Sequence, residues 1–242
     1  YYRIDRTNNK QEYISPKPKK DEKPFRFNWQ TPILLSSHNQ DILYMGSNFL
    51  HRSMNQGQTW TAISPDLTQG VKEGNVAFGT IAAISESTLQ FGLLYTGSDD
   101  GLIHVSKDGG ATWNKISGNL PQNRWVSRVV ASAHKKERVY ATLNGYRNDD
   151  FTSYVFMSDD FGQTWKNIAT NLPSSPVNVI VEDNVNENVL YLGTDNGLYV
   201  SLNKGTSWDD FSNGIPNVAV HDLVIQKVAK DLVVGTHGRS IY

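Results

Sequence analysis

Cysteine is absent from this 242-residue sequence, which excludes disulfides, thiolate nucleophiles and cysteine-ligated metals. No apolar run approaches the roughly 20 residues that a helix needs to cross a bilayer, so we expect no membrane span. Excess positive charge is also lacking, because 23 lysines and arginines stand against 24 aspartates and glutamates. A nucleic-acid partner is therefore not expected, since phosphates require a clustered basic surface. The six histidines show no HxH or HExxH spacing, and we expect neither a metal nor a cofactor.

The sequence does contain one eight-residue pattern in four copies, Ser-x-Asp/Asn-x-Gly-x-Thr/Ser-Trp, which we call the box. The copies are Ser53 to Trp60, Ser106 to Trp113, Ser158 to Trp165 and Ser201 to Trp208. Their tryptophans recur at intervals of 43 to 53 residues. A regular period of this length indicates a stack or ring of equivalent structural units.

Short apolar strands surround each box. Two precede it, a third runs into it and a fourth leaves it from the tryptophan. In the second unit these are Ile81 to Ile84, Leu93 to Gly97, Leu102 to Val105 and Trp113 to Ile116. Four antiparallel strands in about 50 residues form one blade of a β-propeller. The sequence therefore predicts an all-β propeller with about four complete blades and a partial fifth.

The blade boundaries follow from this repeat. After an N-terminal strand and a proline- and lysine-rich linker in residues 1–30, we expect blades at 31–67, 76–121, 125–173, 176–216 and, incomplete, 218–242. An open blade leaves a bare strand edge. We therefore expect the chain to be part of a larger propeller, whose remainder, or another chain, completes the ring. The alternative is a five-bladed ring in which Tyr1 to Asp5 supplies the missing outer strand.

The box residues are expected to be structural. Asp or Asn at the third position can accept hydrogen bonds from backbone N–H groups of the turn, and the glycine allows a positive φ. The tryptophan buries a large ring beside the turn or between blades. Because Asn replaces Asp in two copies, the third position is not a general acid. The structural positions are Ser53, Asn55, Gly57, Trp60, Ser106, Asp108, Gly110, Trp113, Ser158, Asp160, Gly162, Trp165, Ser201, Asn203, Gly205 and Trp208.

The box resembles the Asp-box, or BNR, repeat of sialidases, xyloglucanase-type glycoside hydrolases, sortilin-type receptors and photosystem assembly factors. Three further segments, Phe27 to Ile33, Trp60 to Leu67 and Gly235 to Arg239, resemble large bacterial secreted proteins described as BNR repeat glycosyl hydrolases or sortilin N-terminal domain-like proteins. The resemblance implies a β-propeller within a longer protein. It also implies a secreted, periplasmic or cell-surface location and a protein, peptide or glycan ligand.

The face opposite the boxes is the predicted ligand face, because it carries the second-to-third turns and the blade connections. The insertion from Tyr146 to Ser153 replaces the short turn of the other blades and is the best candidate for a ligand-contacting loop. Tight hairpin turns are the alternative explanation for Asp100-Gly101 and Asn196-Gly197. The predicted ligand-face residues are Asp99, Asp100, Arg124, Trp125, Tyr146, Arg147, Asp149, Asp150, Asp195, His237 and Arg239.

Two functions fit these features. The first is a non-catalytic module that binds a protein, peptide or glycan, which requires only a shaped polar face. The second is a glycoside hydrolase of xyloglucanase or sialidase type, which needs two carboxylates about 5–10 Å apart. Asp99, Asp100 and Asp195 are the candidate catalytic residues by position, although no catalytic motif surrounds them. We favour the binding module.

Overall fold

Apolar strands that end in glycine or serine turns form four complete four-stranded antiparallel sheets and two two-stranded hairpins. The computed structural model describes residues 1–242. Within each complete blade the first strand along the chain lies innermost, and the strand that leaves the box lies outermost. The predicted all-β propeller, with four complete blades and a partial fifth, is confirmed.

The strands follow one another in chain order. The N-terminal hairpin consists of β1 (Tyr2–Ile4) and β2 (Gln11–Tyr13). Blade 1 contains β3 (Ile33–Leu35), β4 (Leu43–Gly46), β5 (Leu50–Ser53) and β6 (Thr61–Ala62). Blade 2 contains β7 (Ile81–Glu86), β8 (Leu94–Ser98), β9 (Ile103–Ser106) and β10 (Asn114–Lys115).

The remaining blades repeat this arrangement. Blade 3 contains β11 (Trp125–Ala131), β12 (Val139–Asn144), β13 (Tyr154–Ser158) and β14 (Lys166–Asn167). Blade 4 contains β15 (Val177–Glu182), β16 (Leu190–Thr194), β17 (Gly197–Ser201) and β18 (Asp209–Asp210). The partial blade 5 consists of β19 (Val220–Ile225) and β20 (Leu232–Thr236). The one helix is a 3-10 turn, Tyr146–Asn148, and no helix has the length and apolar composition needed to cross a membrane.

Each box closes the turn between the third and fourth strands of its blade. In blade 3 the hydroxyl of Ser158 accepts a 2.8 Å hydrogen bond from the N–H of Gly162 and donates one of 2.7 Å to Asp160 Oδ1. The same carboxylate oxygen accepts the N–H of Thr164 at 2.9 Å. The box side chains thus satisfy the polar groups of their own turn, as hydrogen-bonded Asx and Ser turns do.

The box also fastens its blade to the preceding one. Gly162 has φ +86°, and a Cβ at this position would lie 2.3 Å from Ile116 Cδ1 of blade 2. The indole N–H of Trp165 donates a 2.7 Å hydrogen bond to the carbonyl of Ile116. Trp208 makes the same 2.7 Å contact with Ile168. The glycine therefore permits close approach between blades, and the tryptophan supplies the hydrogen bond that joins them.

The N-terminal hairpin takes the place that the two outer strands of a preceding blade would have. Ile14 follows β2 as Ile63 follows β6, and Trp60 donates its indole N–H to the carbonyl of Ile14. A Cβ on Gly57 would lie 2.9 Å from Ile14 Cβ, as the other box glycines contact their isoleucines. Residues 1–30 therefore contain two strands rather than the single predicted one.

The alternative of a five-bladed ring closed by Tyr1 to Asp5 does not occur in this structure. The strand β1 pairs only with β2. The free edge of β20 is taken by Tyr242, whose backbone exchanges hydrogen bonds of 2.9 and 3.0 Å with Val234.

The innermost strands are irregular near their ligand-face ends. The register of β7, β15 and β19 shifts after the first residue, and that of β11 shifts after the second. This irregularity inserts an extra residue, as a β-bulge does, and re-aims its side chain. The inserted residues are Ala82, Ser127, Asn178 and His221.

Candidate ligand-binding face

The insertion of blade 3 forms an aromatic loop between β12 and β13. Its 3-10 helix begins where Asn144 Oδ1 accepts the N–H of Tyr146 at 2.9 Å and ends at Asp149, whose φ is +52°. The rings of Tyr146 and Phe151 meet edge to face with centroids 6.2 Å apart. They are 61% and 50% exposed. An aromatic pair left open to solvent in this way is typical of a binding surface.

Arg147 of this loop lies on the ring of Trp125, the first residue of β11. The guanidinium carbon is 4.1 Å from the ring centroid, a cation–π contact. Burial lowers the pKa of Arg147, and the nearby Asp99 carboxylate acts in the opposite direction. Arg147 has no salt-bridge partner among the ion pairs of the molecule. The predicted residues Trp125 and Arg147 are therefore brought together.

Arg124 and Asp150 fix the base of the same loop. Arg124 Nε donates to Asp150 Oδ2 at 2.8 Å, and the hydroxyl of Tyr154 donates to the same oxygen at 2.9 Å. Burial raises the pKa of Asp150, but the hydrogen bonds from Arg124, Thr152 and Tyr154 outweigh it, so the pKa lies well below its usual range. This carboxylate is held as an ionised structural group.

Asp99 and Asp100 lie in the β8–β9 turn and are almost fully buried. Asp99 Oδ2 accepts a 2.6 Å hydrogen bond from the hydroxyl of Thr80, and its Oδ1 accepts the Thr80 N–H at 2.9 Å. Asp100 Oδ2 accepts the N–H of Gln69 at 2.6 Å, and the Ser98 hydroxyl donates to Oδ1. Burial raises the pKa of Asp100 despite these donors. Neither carboxylate presents a free oxygen to solvent.

Asp195 belongs to an amide network that joins blades 3, 4 and 5. Asn178 Nδ2 donates to Asp195 Oδ1 at 2.8 Å, and Asn144 Nδ2 donates to Asn178 Oδ1 at 3.0 Å. Asn178 Nδ2 also lies 3.3 Å from the carbonyl of Val220. The position of Asn178 on the bulge of β15 is what allows it to reach both neighbours.

His237 and Arg239 lie apart from the aromatic loop, at the start of the turn after β20. Both are exposed. The ring of His237 stacks on that of His221 with centroids 5.2 Å apart. No group of three or more His, Asp and Glu side chains in the chain is arranged to hold a metal ion.

Sequence reasoning missed three contributors to this face. Asn28 Nδ2 donates to Asp99 Oδ2 at 3.2 Å, and it places Trp29 beside blade 2 with 74% of the tryptophan exposed. Arg128 Nη2 lies 2.6 Å from Asp222 Oδ1, an ion pair between the innermost strands of blades 3 and 5. In the sequence the segment Phe27 to Ile33 stands out by its resemblance, and Trp29 is the signal that it offers.

We define the aromatic face as Trp125, Tyr146, Arg147 and Phe151, together with the exposed Trp29, whose neighbour Asn28 bonds to Asp99 close to Arg147. Its rings can pack against the C–H surface of a ligand, and the neighbouring amides can exchange hydrogen bonds with hydroxyl groups. Its carboxylates, in contrast, are occupied by protein donors. Two cavities, of about 440 and 480 Å³, lie on the other face, beside the boxes.

Comparison with known families identifies the propeller. The family model described as DUF6242 beta propeller domain matches residues 27–227, which includes the four complete blades and β19. No curated protein sequence matches the chain.

Solved structures share the fold. The GH74 xyloglucanase from Xanthomonas campestris is 17% identical with a TM-score of 0.67, over 88% of this chain and 34% of that one. The GH74 enzyme from Niastella koreensis is 22% identical with a TM-score of 0.64, over 86% and 35%. The extracellular domain of a putative one component system from B. thetaiotaomicron is 18% identical with a TM-score of 0.61, over 93% and 28%. The chain thus spans about a third of the length of these proteins.

Proposed function

The chain belongs to the DUF6242 beta propeller domain family, and from this premise we propose that it is a non-catalytic module that binds a glycan on the aromatic face. The observation that carries the proposal is the stack of Arg147 on Trp125, flanked by exposed aromatic rings. Flat rings pack against the C–H faces of sugars, and a protein-held guanidinium donates to their hydroxyl oxygens.

The shape of this surface supports a glycan over a peptide. The aromatic face consists of exposed rings, whereas two well-formed cavities lie on the box face, and selection of peptide side chains usually relies on such pockets. A peptide that added to a sheet would need a free strand edge, but the inner strands pack against one another around the channel.

The state of the carboxylates supports a non-catalytic role. A glycoside hydrolase needs a protonated acid and a second carboxylate that both reach the scissile bond. Asp100 has a raised pKa, but it is only 1% exposed and both of its oxygens accept hydrogen bonds. Asp150 is ion-paired, and Asp195 accepts from Asn178.

The setting that we propose is extracytoplasmic, with the boxes as Asp-box repeats of a secreted, periplasmic or cell-surface protein. Similar folds occur in a structure described as an extracellular domain. We further propose that additional blades, from the same protein or another chain, cover the two ends of the arc. Leu35 is 64% exposed at one end, and Val224 is 56% exposed at the other.

Binding to a panel of immobilised polysaccharides and peptides tests the proposal. We expect glycan binding that Trp29→Ala and Tyr146→Ala each weaken at least fivefold, because each removes a stacking ring. Phe91→Ala, which removes a similarly exposed ring from the box face, is the matched control. Equal loss in the control, or binding of peptides alone, would contradict a glycan site on this face.

Assay of the same glycans for release of reducing ends tests the non-catalytic role. We expect no turnover by the wild-type chain. Turnover that Asp195→Asn abolishes while binding persists would show a glycoside hydrolase instead.

A further inference from the structure

A second polar groove lies on the box face, where blades 2 and 3 meet. Its volume is about 480 Å³. We call it the lysine groove and define it by its polar and aromatic lining. These residues are Lys107, Asn114, Lys115, Asn119, Phe161 and Gln163.

All charge in the lining of this groove is positive. Lys107 and Lys115 are its only ionisable lining residues, and neither forms a salt bridge. The remaining polar lining consists of the three amides, which both donate and accept hydrogen bonds. The adjacent box carboxylates, Asp108 and Asp160, are each engaged by the Ser and Thr residues of their own turns.

Phe161 contributes an aromatic ring to this groove. Its φ of +62° is the left-handed conformation that the equivalent residues of the other boxes, Gln56, Gly109 and Lys204, also adopt. The ring contacts Lys107, whose Nζ lies 3.8 Å from the ring centroid. This cation–π contact holds an ammonium group at the groove.

The equivalent groove between blades 1 and 2 has a different charge. It has a volume of about 440 Å³ and is lined by Arg52, Asp108 and Gly109 among others. Arg52 donates to the carbonyl of Gly109 at 3.0 Å, so its cation is engaged, and a carboxylate is present in the lining. The free positive charge therefore distinguishes the junction of blades 2 and 3 from the junction of blades 1 and 2.

We propose that the lysine groove binds the anionic group, a carboxylate or a sulfate, of an acidic saccharide unit. Two unpaired ammonium groups match the anion, and the amides match ring hydroxyls. An acidic peptide is less well matched, because the strand beside the groove, β10, is two residues long and too short to pair with an added peptide strand. This site lies on the opposite side of the propeller from the aromatic face and does not depend on it.

Isothermal titration with four hexamers tests this assignment: hexagalacturonate, a κ-carrageenan hexasaccharide that carries sulfates but no carboxylates, neutral cellohexaose and hexaglutamate. We expect binding of at least one acidic saccharide, and which one binds identifies carboxylate or sulfate as the anion. The Lys107→Gln and Lys115→Gln double variant should bind it about three- to tenfold more weakly, with a smaller salt dependence. The matched control is Lys166→Gln, which removes an exposed lysine from the outer strand of blade 3.

Four results would each overturn the proposal. They are an unchanged affinity in the double variant, an equal loss of affinity in the control, no binding of either acidic saccharide, and equally tight binding of hexaglutamate. Because the lysines are exposed, both variants should keep the wild-type melting temperature, which circular dichroism verifies. Trp29→Ala should leave this binding intact, so a failure of the aromatic-face proposal is distinguishable from a failure of this one.

Discussion

The hydroxyl of Tyr140 in blade 3 donates a 2.8 Å hydrogen bond to Oε1 of Glu182 in blade 4, where both residues are buried. Tyr44 and Glu86 make the same bond, of 2.9 Å, between blades 1 and 2. Between blades 2 and 3 the pattern fails. The register places Ala131 where the glutamate would stand, and the hydroxyl of Tyr95 is buried without a partner.

This alternation predicts opposite effects of one substitution at two equivalent sites. Tyr140→Phe should lower the free energy of unfolding by about 1–3 kcal/mol, because it removes a buried donor to Glu182. Tyr95→Phe should be neutral or stabilising, because it removes a hydroxyl that loses its hydrogen bonds to water on folding and forms none in the protein. Urea denaturation of both variants measures the difference. Equal destabilisation would show that the tyrosine hydroxyls do not contribute through these bonds.

The box carboxylates predict a loss of stability in acid. Burial raises the pKa of Asp160, but hydrogen bonds from Thr164 and Ser158 together outweigh it and bring the pKa to about 2. Hydrogen bonds led by that of Thr112 lower the pKa of Asp108 to about 2. Because the folded pKa lies below the ordinary value of 3.8, this stabilisation is present above pH 3.8 and is lost as the pH falls towards 2.

Replacement of Asp108 and Asp160 by asparagine should reduce this loss of stability at low pH. Asn55 shows that the turn survives the change, since its Oδ1 still accepts the N–H of Thr59 at 2.9 Å and its Nδ2 donates to the Thr59 hydroxyl at 3.0 Å. We therefore expect the D108N/D160N variant to lose less stability than the wild type between pH 4 and pH 2. Thermal unfolding of both proteins at each pH measures this difference. An equal loss of stability in the wild type and the variant would contradict the role of the two carboxylates.

A pair of glycines can separate two costs of adding a side chain at a box glycine, the crowding against the neighbouring blade and the strain of a left-handed backbone. Gly205 has φ +76°, and a Cβ there would lie 2.7 Å from Ile168 Cδ1. Gly214 has a similar φ of +83° but nothing within 4 Å of that position. Both Gly→Ala variants incur the strain of a left-handed backbone, so Gly205→Ala should be the more destabilising by about 1–3 kcal/mol, the usual cost of overpacking. Denaturant midpoints of the two variants provide the comparison.

The different burial of the four box tryptophans predicts different losses of stability when each is replaced by alanine. Trp208 is 3% exposed, whereas Trp60, Trp113 and Trp165 are only partly buried. Truncation of Trp208 to alanine should lower the free energy of unfolding by about 3–5 kcal/mol, as for other buried aromatic residues. The other three alanine variants should lose less. A uniform loss across the four would indicate that the shared indole hydrogen bond, rather than burial, dominates.

The open ends of the arc predict self-association of the 242-residue chain. Leu35 and Val224 are exposed apolar residues on strands that neighbours would otherwise cover. Light scattering after size exclusion should show oligomers that grow with concentration and that Leu35→Lys and Val224→Lys suppress. Leu202→Lys, at an exposed box position away from both ends, is the control. A monomer at every concentration would contradict self-association through the exposed end blades.

Much of the fold was predictable because its determinants are local and periodic. Each box contains the donors and acceptors of its own turn within eight residues, and the apolar strands around it recur with the same period. The aromatic loop from Tyr146 to Ser153 was also visible, since it interrupts a regular pattern. The second strand of the N-terminal hairpin was not predicted, because no box separates β1 from β2 and only the contact of Ile14 with Trp60 reveals its role.

The sequence by itself determined the class of fold and the number of blades, and it predicted a ligand face opposite the boxes. Only the tertiary structure decided which acidic residues remain available. Asp99 is occupied by Asn28, 71 residues away in the chain, and Arg128 reaches Asp222 across 94 residues. Such contacts depend on how one blade sits against another, and the strand pattern of a single blade is the same whether its turn carboxylates end up free or bound.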